Sequence, residues 1–260
     1  MSKRRLPSVR VSSFPSASYE RMKASTSGRL ISCLQSLPKR RFRSSRYVRT
    51  YSEMTFGARN SALSPLRTTL NTIPPPVRLS SEPDQLQVWE KRLGRRNRPR
   101  IGLTWSGSLT HPNDYVSIPL QLLASLLDMN ASFISLQKDP RPTDEVFLGT
   151  SGIVDLTADL ADFGETAALL SCLDLVITVD TSIAHLAGAM GCPTWILLPH
   201  LPDYRWLLDR ENSPWYPTVR LFRKEAAGGY EAVIRRVRSE LANLLESKLL
   251  TEASGPRSAQ

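Results

Sequence analysis

Between residues 101 and 249 short apolar runs alternate with helical segments, and this alternation constrains the fold more than any other feature. Ile101–Trp105, Ala131–Leu136, Gly152–Leu156, Leu173–Val179 and Pro193–Leu198 are too short for buried helices and read as strands. Between and around them lie helical segments: Pro119–Leu127, Glu165–Cys172, Ser182–Met190 and a last one from about Gly229 to Leu249. In the last, Val233, Val237, Leu241, Leu244 and Leu245 fall at helical spacing, a core-packing stripe. A further helix is expected over Ser81–Leu93, with acids early and Lys91 and Arg92 late, as the helix dipole favours. Strands alternating with helices imply an α/β fold, a Rossmann-like parallel sheet with helices on both faces.

The charge of this chain belongs to a different part of it. The 260 residues carry a formal net charge of +10. Residues 1–60 hold 14 Lys plus Arg against Glu20 and Glu53, a balance of +12, so the rest is close to neutral at −2. The body therefore need not meet polyanions. The first 60 residues include 13 serines and too few apolar residues to define a buried face. A basic arm for nucleic acid or an anionic membrane surface (densest at Lys39–Arg43), an organellar transit peptide, and disordered or non-native sequence all fit this composition. The last is favoured, since nothing periodic or aromatic-interleaved supports a binding surface, and nucleic acid is not the expected partner. Residues 1–65 are thus set apart as a basic Ser/Arg-rich segment, 66–250 as the folded domain and 251–260 as a polar tail. Pro74–Pro76 form a stiff linker.

Several classes drop out. No apolar run approaches the roughly 20 residues of a membrane-spanning helix. Cys33, Cys172 and Cys192 are far apart and form no CxxC, which points to a reducing, cytoplasmic setting rather than a disulfide scaffold. His111, His185 and His200 lack paired spacing, so no metal is expected. GxGxxG, GxxxxGK[ST] and GxSxG do not occur.

In open parallel sheets, ligands bind where strand ends lead into helix N-termini. The sharper such corner is Leu173–Val179 followed by Asp180, Thr181 and Ser182, which open a helix with His185 on its first turn. Free N–H groups, the helix dipole and two hydroxyls make this a candidate anion site. Equally, Asp180 or Thr181 simply caps the helix and His185 is a satisfied, half-buried histidine. A second end, Thr104–Ser108, offers Ser106, Gly107 and Ser108 to a phosphate, although locally an ordinary polar loop on the way to the helix at Pro119 explains it better. Lys138, after Ser135-Leu136-Gln137, is a third candidate, and a lone lysine there is ordinarily just solvated. The aromatics of Trp195–Tyr216 read as packing against the sheet rather than as base-stacking platforms.

Ordered blocks across 66–245 carry a family resemblance. They include Ile101–Gly107, Ser117-Ile118-Pro119-Leu120, Ser135–Lys138, Asp162-Phe163, Thr166–Leu169, Leu173–Gly191 with VDTSIAHLAGAMG at its centre, Arg205–Leu208, Ser213–Pro217 and Arg220–Arg223. Together they resemble the C-terminal, donor-binding part of bacterial glycosyltransferases of the ADP-heptose:lipopolysaccharide heptosyltransferase class, especially those fused behind tetratricopeptide repeats. The resemblance implies the C-terminal half of a GT-B fold that takes a nucleotide sugar, ADP- or UDP-linked, without a metal or other cofactor, and transfers the sugar to an acceptor hydroxyl. It implies that the diphosphate sits at Asp180, Thr181 and Ser182, with His185 nearby and Ser106–Ser108 opposite. Tyr115-Val116 stand where the family usually has a basic residue before Ser117. No counterpart of the acceptor domain is visible, so the expectation is a truncated donor half, weakly active or inactive alone, with no residue assigned as catalytic. The alternatives are a non-catalytic nucleotide-binding protein, or nucleic-acid binding through the basic arm.

Overall fold

The computed structural model describes residues 10–11, 69–73, 78–108 and 114–253. The readings made on the basic arm, on Pro74–Pro76, on His111 and on residues 254–260 lie outside the described residues, apart from β1 (Arg10–Val11), which pairs antiparallel with β2 (Leu79–Ser80).

The domain is built on a five-stranded sheet of β3 (Arg100–Thr104), β4 (Ser132–Ser135), β5 (Leu175–Val179), β6 (Thr194–Leu198) and β7 (Val219–Arg223), in the order β4-β3-β5-β6-β7. Every pairing is parallel. All five residues of β3, β5 and β6 are buried, as a sheet covered on both faces requires. On one face Ile101, Leu103, Leu175, Ile177, Val179, Leu197 and Phe222 meet the turn Leu120–Leu126 and helix α5 (Tyr230–Ala253), whose Val233, Val237, Leu241 and Leu245 are buried there. On the other, Ile134 and Val176 pack under α1 (Pro83–Leu93), α3 (Phe163–Ser171) and α4 (Ser182–Met190). Helix α2 (Pro142–Thr150) joins the first face through Leu148. At Gly102 the sheet is closely covered: a Cβ there would lie 2.6 Å from Cδ1 of Leu136 and of Leu173, so both side chains would have to move aside for any other residue.

Most expected elements appear within two residues of their expected ends, and the exceptions have physical reasons. The strand expected over Gly152–Leu156 shrinks to a bridge between Val154 and Ile134. It keeps two ladder bonds, Ser135 N to Val154 O at 2.8 Å and Val154 N to Phe133 O at 2.9 Å, before the chain turns away. The segment expected as a helix over Pro119–Leu127 is a 3-10 helix over Leu120–Leu126, burying Leu120, Leu123 and Leu126 at the three-residue spacing that winding brings to one side. Among the α-helices and the strands of the five-stranded sheet, α2 and β7 were not anticipated. Helix α2 has little apolar periodicity, and Val219–Arg223 places arginines at positions 220 and 223, which hides a strand from a search for apolar runs.

Counting the Val154 bridge as a strand position beyond β4, the order is 3-2-1-4-5-6, the doubly wound order in which ligands bind where the strand order reverses. That reversal lies between β3 and β5, whose carboxyl ends are Thr104 and Val179. Both sharper sequence candidates begin there.

Candidate functional site

A cavity of about 780 Å³ opens at that crevice, and all eight residues singled out from sequence line it: Ser106, Gly107, Ser108, Lys138, Asp180, Thr181, Ser182 and His185. They come from the ends of three adjacent strands, β4, β3 and β5, so the sheet rather than any local motif brings them together.

The α4 corner retains open donors. Thr181 is the N-cap residue, yet its side chain makes no capping hydrogen bond. Its Oγ1 lies instead 3.3 Å from Thr178 Oγ1, while Thr178 donates to Val179 O at 2.8 Å. By contrast α3, which borders the same cavity, is closed by Asp162, whose carboxylate accepts from Glu165 N at 2.9 Å. The capping reading of Thr181 is therefore not what the structure adopts, and the first turn of α4 keeps donors for something else. Gly191, at φ 74°, ends the helix with a left-handed residue. Beneath the cavity Thr104 Oγ1 is buried with no hydrogen-bond partner among the described residues.

His185 is half-buried and partnered, so that part of the plainer reading stands. Its Nδ1 is 3.1 Å from Tyr216 Oη, its ring stacks on Trp206 (centroids 5.1 Å apart, planes at 16°), and its Nε2 is 3.6 Å from Asp180 Oδ1. Burial raises the Tyr216 phenol above its ordinary value, with Arg205 opposing and Asp180 adding to the rise. Arg205 also lines the cavity; burial pulls its guanidinium down, but the Asp203 carboxylate, 2.7 Å away, and Asp180 outweigh this and leave it raised. Lys138 reaches the cavity with its ammonium donating to Leu160 O at 2.8 Å, which holds it in place and leaves it two further protons.

The wall formed by 106–108 is braced from behind. Ser106 N donates to Gln137 Oε1 at 2.9 Å, and Gly107 N to Ser117 Oγ at 2.8 Å. Arg141, at the start of α2, donates from Nε to Ser106 Oγ at 3.1 Å and pairs with Asp114, which also accepts from Ser117. A cation therefore does stand behind this loop although Tyr115 and Val116 occupy the expected basic position. Sequence reasoning passed over Arg141, Arg205, Trp206 and Tyr216 as site residues. All but Arg141 lie in blocks quoted for the resemblance, which was the available signal; Arg141 gave none, being brought to Ser106 only by the packing of α2.

Among the described residues no three His, Cys, Asp or Glu side chains are placed to hold a metal ion, and no helix is long and apolar enough to cross a membrane. Trp195 and Trp206 are buried, as the packing reading of that aromatic stretch expects, whereas Trp215 is only partly buried and Tyr204 is exposed.

Comparison with known proteins gives three kinds of similarity. Protein FlbA of Caulobacter vibrioides is 29% identical over 219 residues, covering 79% of this chain and 36% of that protein, so the chain spans little more than a third of this relative. Among solved structures, E. coli ADP-heptose lps heptosyltransferase II is 18% identical, with a TM-score of 0.48 over 68% of this chain and 57% of its own. The glycosyl transferase family 9 structure from Veillonella parvula DSM 2008 is 15% identical, with a TM-score of 0.46 over 73% and 58%. The stretch from 150 to 197, which holds β5, α4 and with them Asp180, Thr181, Ser182 and His185, matches the family model of Glycosyltransferase family 9 (heptosyltransferase), the family this sequence resembles.

Proposed function

We propose that the cavity is the donor site of a glycosyltransferase, holding a nucleotide-diphosphate sugar whose diphosphate rests on the first turn of α4. The observation that carries this reading is the uncapped Thr181 corner inside a cavity lined from three strand ends. Ser182 and the N–H groups that Thr181 leaves uncapped share this cavity with the 106–108 wall, and both lie at the reversal of strand order. Lys138 and Arg205 bring positive charge to the same space, and Arg141 lies behind Ser106. The family match over 150–197 agrees with this choice of ligand.

The chemistry follows from that placement. The bond between the sugar's anomeric carbon and the diphosphate oxygen breaks, and an acceptor hydroxyl oxygen forms the new bond after giving up its proton. Charge accumulates on the departing diphosphate, where the α4 dipole and the hydroxyl donors are already oriented, so they stabilise the transition state more than the ground state. The residues here serve the leaving group; the acceptor and its base belong to the other side of a GT-B cleft.

The test is a thermal-shift panel on the full chain, with ADP, UDP, ADP-linked and UDP-linked sugars, and ATP as a control. One nucleoside diphosphate should raise the melting temperature in proportion to the logarithm of its concentration, and Thr181→Ala should remove the shift. A cooperative melt unmoved by every member of the panel at millimolar concentration sinks the proposal.

A further inference from the structure

His185 is held by more than its own helix. One side of its ring stacks on Trp206, which is fully buried, and Nδ1 meets the hydroxyl of Tyr216 at 3.1 Å. Tyr216 reaches that position by lying across α4 at Gly188, one turn beyond His185 on the helix. A Cβ on Gly188 would be 2.6 Å from Tyr216 Cγ and 2.9 Å from Cδ1, so only glycine leaves the space the ring occupies. Ser213 supports the approach by accepting from the N–H groups of Trp215 (3.2 Å) and Tyr216 (3.3 Å), which fixes the turn that aims the ring.

We propose that Tyr216, seated in the notch at Gly188, is a positioning residue that sets the tautomer of His185, so that Nδ1 accepts from the phenol and Nε2 carries the proton on the side of Asp180. A phenol shielded by burial remains protonated and can donate, and a neutral imidazole that accepts at one nitrogen must carry its hydrogen on the other. The 3.6 Å from Nε2 to Asp180 Oδ1 is too long for a hydrogen bond. That hydrogen is therefore available to an anionic oxygen in the cavity, and His185 acts as an oriented donor rather than as an acceptor that would repel it. The charged groups around the ring are Asp180 on its own corner and Asp203 with Arg205 on the turn that carries Trp206. The use of this hydrogen by a diphosphate rests on the donor-site reading; the tautomer itself does not.

The experiment compares the full-length chain with Tyr216→Phe, which removes one oxygen and keeps the ring, and with Gly188→Ala, which displaces the ring and keeps the oxygen. The imidazole nitrogens are observed by long-range proton–nitrogen correlation on protein labelled with nitrogen-15 in histidine, with His185→Gln assigning the signal. The wild type is expected to show Nε2 protonated and Nδ1 bare, and both variants a mixture shifted toward the Nδ1–H form. Titration with ADP, UDP and inorganic pyrophosphate should then show about three- to ten-fold weaker binding in Tyr216→Phe, the scale of one misoriented hydrogen bond. An unchanged tautomer in Tyr216→Phe overturns the inference, whatever happens to affinity. A tautomer that shifts while no probe binds even the wild type upholds Tyr216 as the positioning residue and fails the donor site instead.

Discussion

Replacing Thr181 with aspartate separates a helix cap from an anion site, because the two roles demand effects of opposite sign. Thr181 is the N-cap of α4 and does not use its side chain to cap. An aspartate there can accept from the first-turn N–H groups, a gain of about 0.5–1 kcal/mol over an unused cap. Its charge at the positive end of the helix adds about 0.3–1 kcal/mol. The neighbouring carboxylate of Asp180 offsets part of this, leaving Thr181→Asp more stable than wild type by roughly 0.5–1 kcal/mol, or about 1–4 °C in Tm for a domain of this size. The same carboxylate then occupies the place proposed for the diphosphate. Two unit charges ~4 Å apart at an effective dielectric of about 20 repel by about 4 kcal/mol. Solvent at this half-exposed corner screens about half of that, so roughly 2 kcal/mol remains, about thirty-fold in affinity. The assay is differential scanning fluorimetry without ligand, followed by isothermal titration with whichever nucleoside diphosphate stabilises the wild type. A variant that melts higher and binds at least thirty-fold more weakly is the expected outcome. A variant that melts higher and still binds like the wild type refutes the reasoning, since it places the anion elsewhere in the cavity.

Other expected outcomes follow from the packing and the site. Asp144 is buried and accepts from Trp105 Nε1 at 3.0 Å and from Leu120 N at 3.4 Å. Asp144→Ala leaves that indole N–H buried and unpaired, so urea denaturation should show a loss of about 2–3 kcal/mol. Trp89, fully buried with its Nε1 2.7 Å from Glu165 Oε2, fastens α1 to α3; Trp89→Ala should cost about 3–5 kcal/mol by the same measurement. Arg141→Ala, which frees Ser106 and leaves Asp114 without its cation, should weaken pyrophosphate binding several-fold and reduce its salt dependence, as titrations at two ionic strengths would register. Burial raises Cys172 and Cys192 to about 11 from an ordinary 9.0, with Glu90 adding to the rise at Cys172, and burial raises Tyr230 to about 12 from 10.0. These groups hold their protons more tightly when folded, so their contribution is complete below about pH 9 and is lost as pH rises through 11 to 12; chemical denaturation across pH 8 to 12 should show stability falling in that window.

Part of the candidate site was legible, most clearly where a strand run breaks into small hydroxyl residues and a helix begins. Val179 followed by Asp180, Thr181 and Ser182 is a local pattern, and local patterns survive in a sequence. For the same reason β3, β5 and β6 were readable: strands buried on both faces are continuous apolar runs whatever surrounds them. Strand β7 and helix α2 were not, because their stability comes from partners. The arginines of β7 become tolerable only when Arg220 meets Glu240 at 2.8 Å and Arg223 meets Leu207 O at 2.7 Å.

By itself, then, the sequence determined the α/β alternation, the absence of charge bias in the folded body, and the individual polar strand ends. Tertiary structure alone decided which ends share a cavity, since that depends on the order β4-β3-β5 and not on spacing along the chain. It also decided that Thr181 leaves its helix uncapped, that Arg141 supplies a cation behind Ser106, and that Tyr216 crosses a glycine notch to reach His185. The last two are contacts between residues 35 and 31 positions apart, and such contacts are written in the packing of the sheet's two faces rather than in any neighbouring residues.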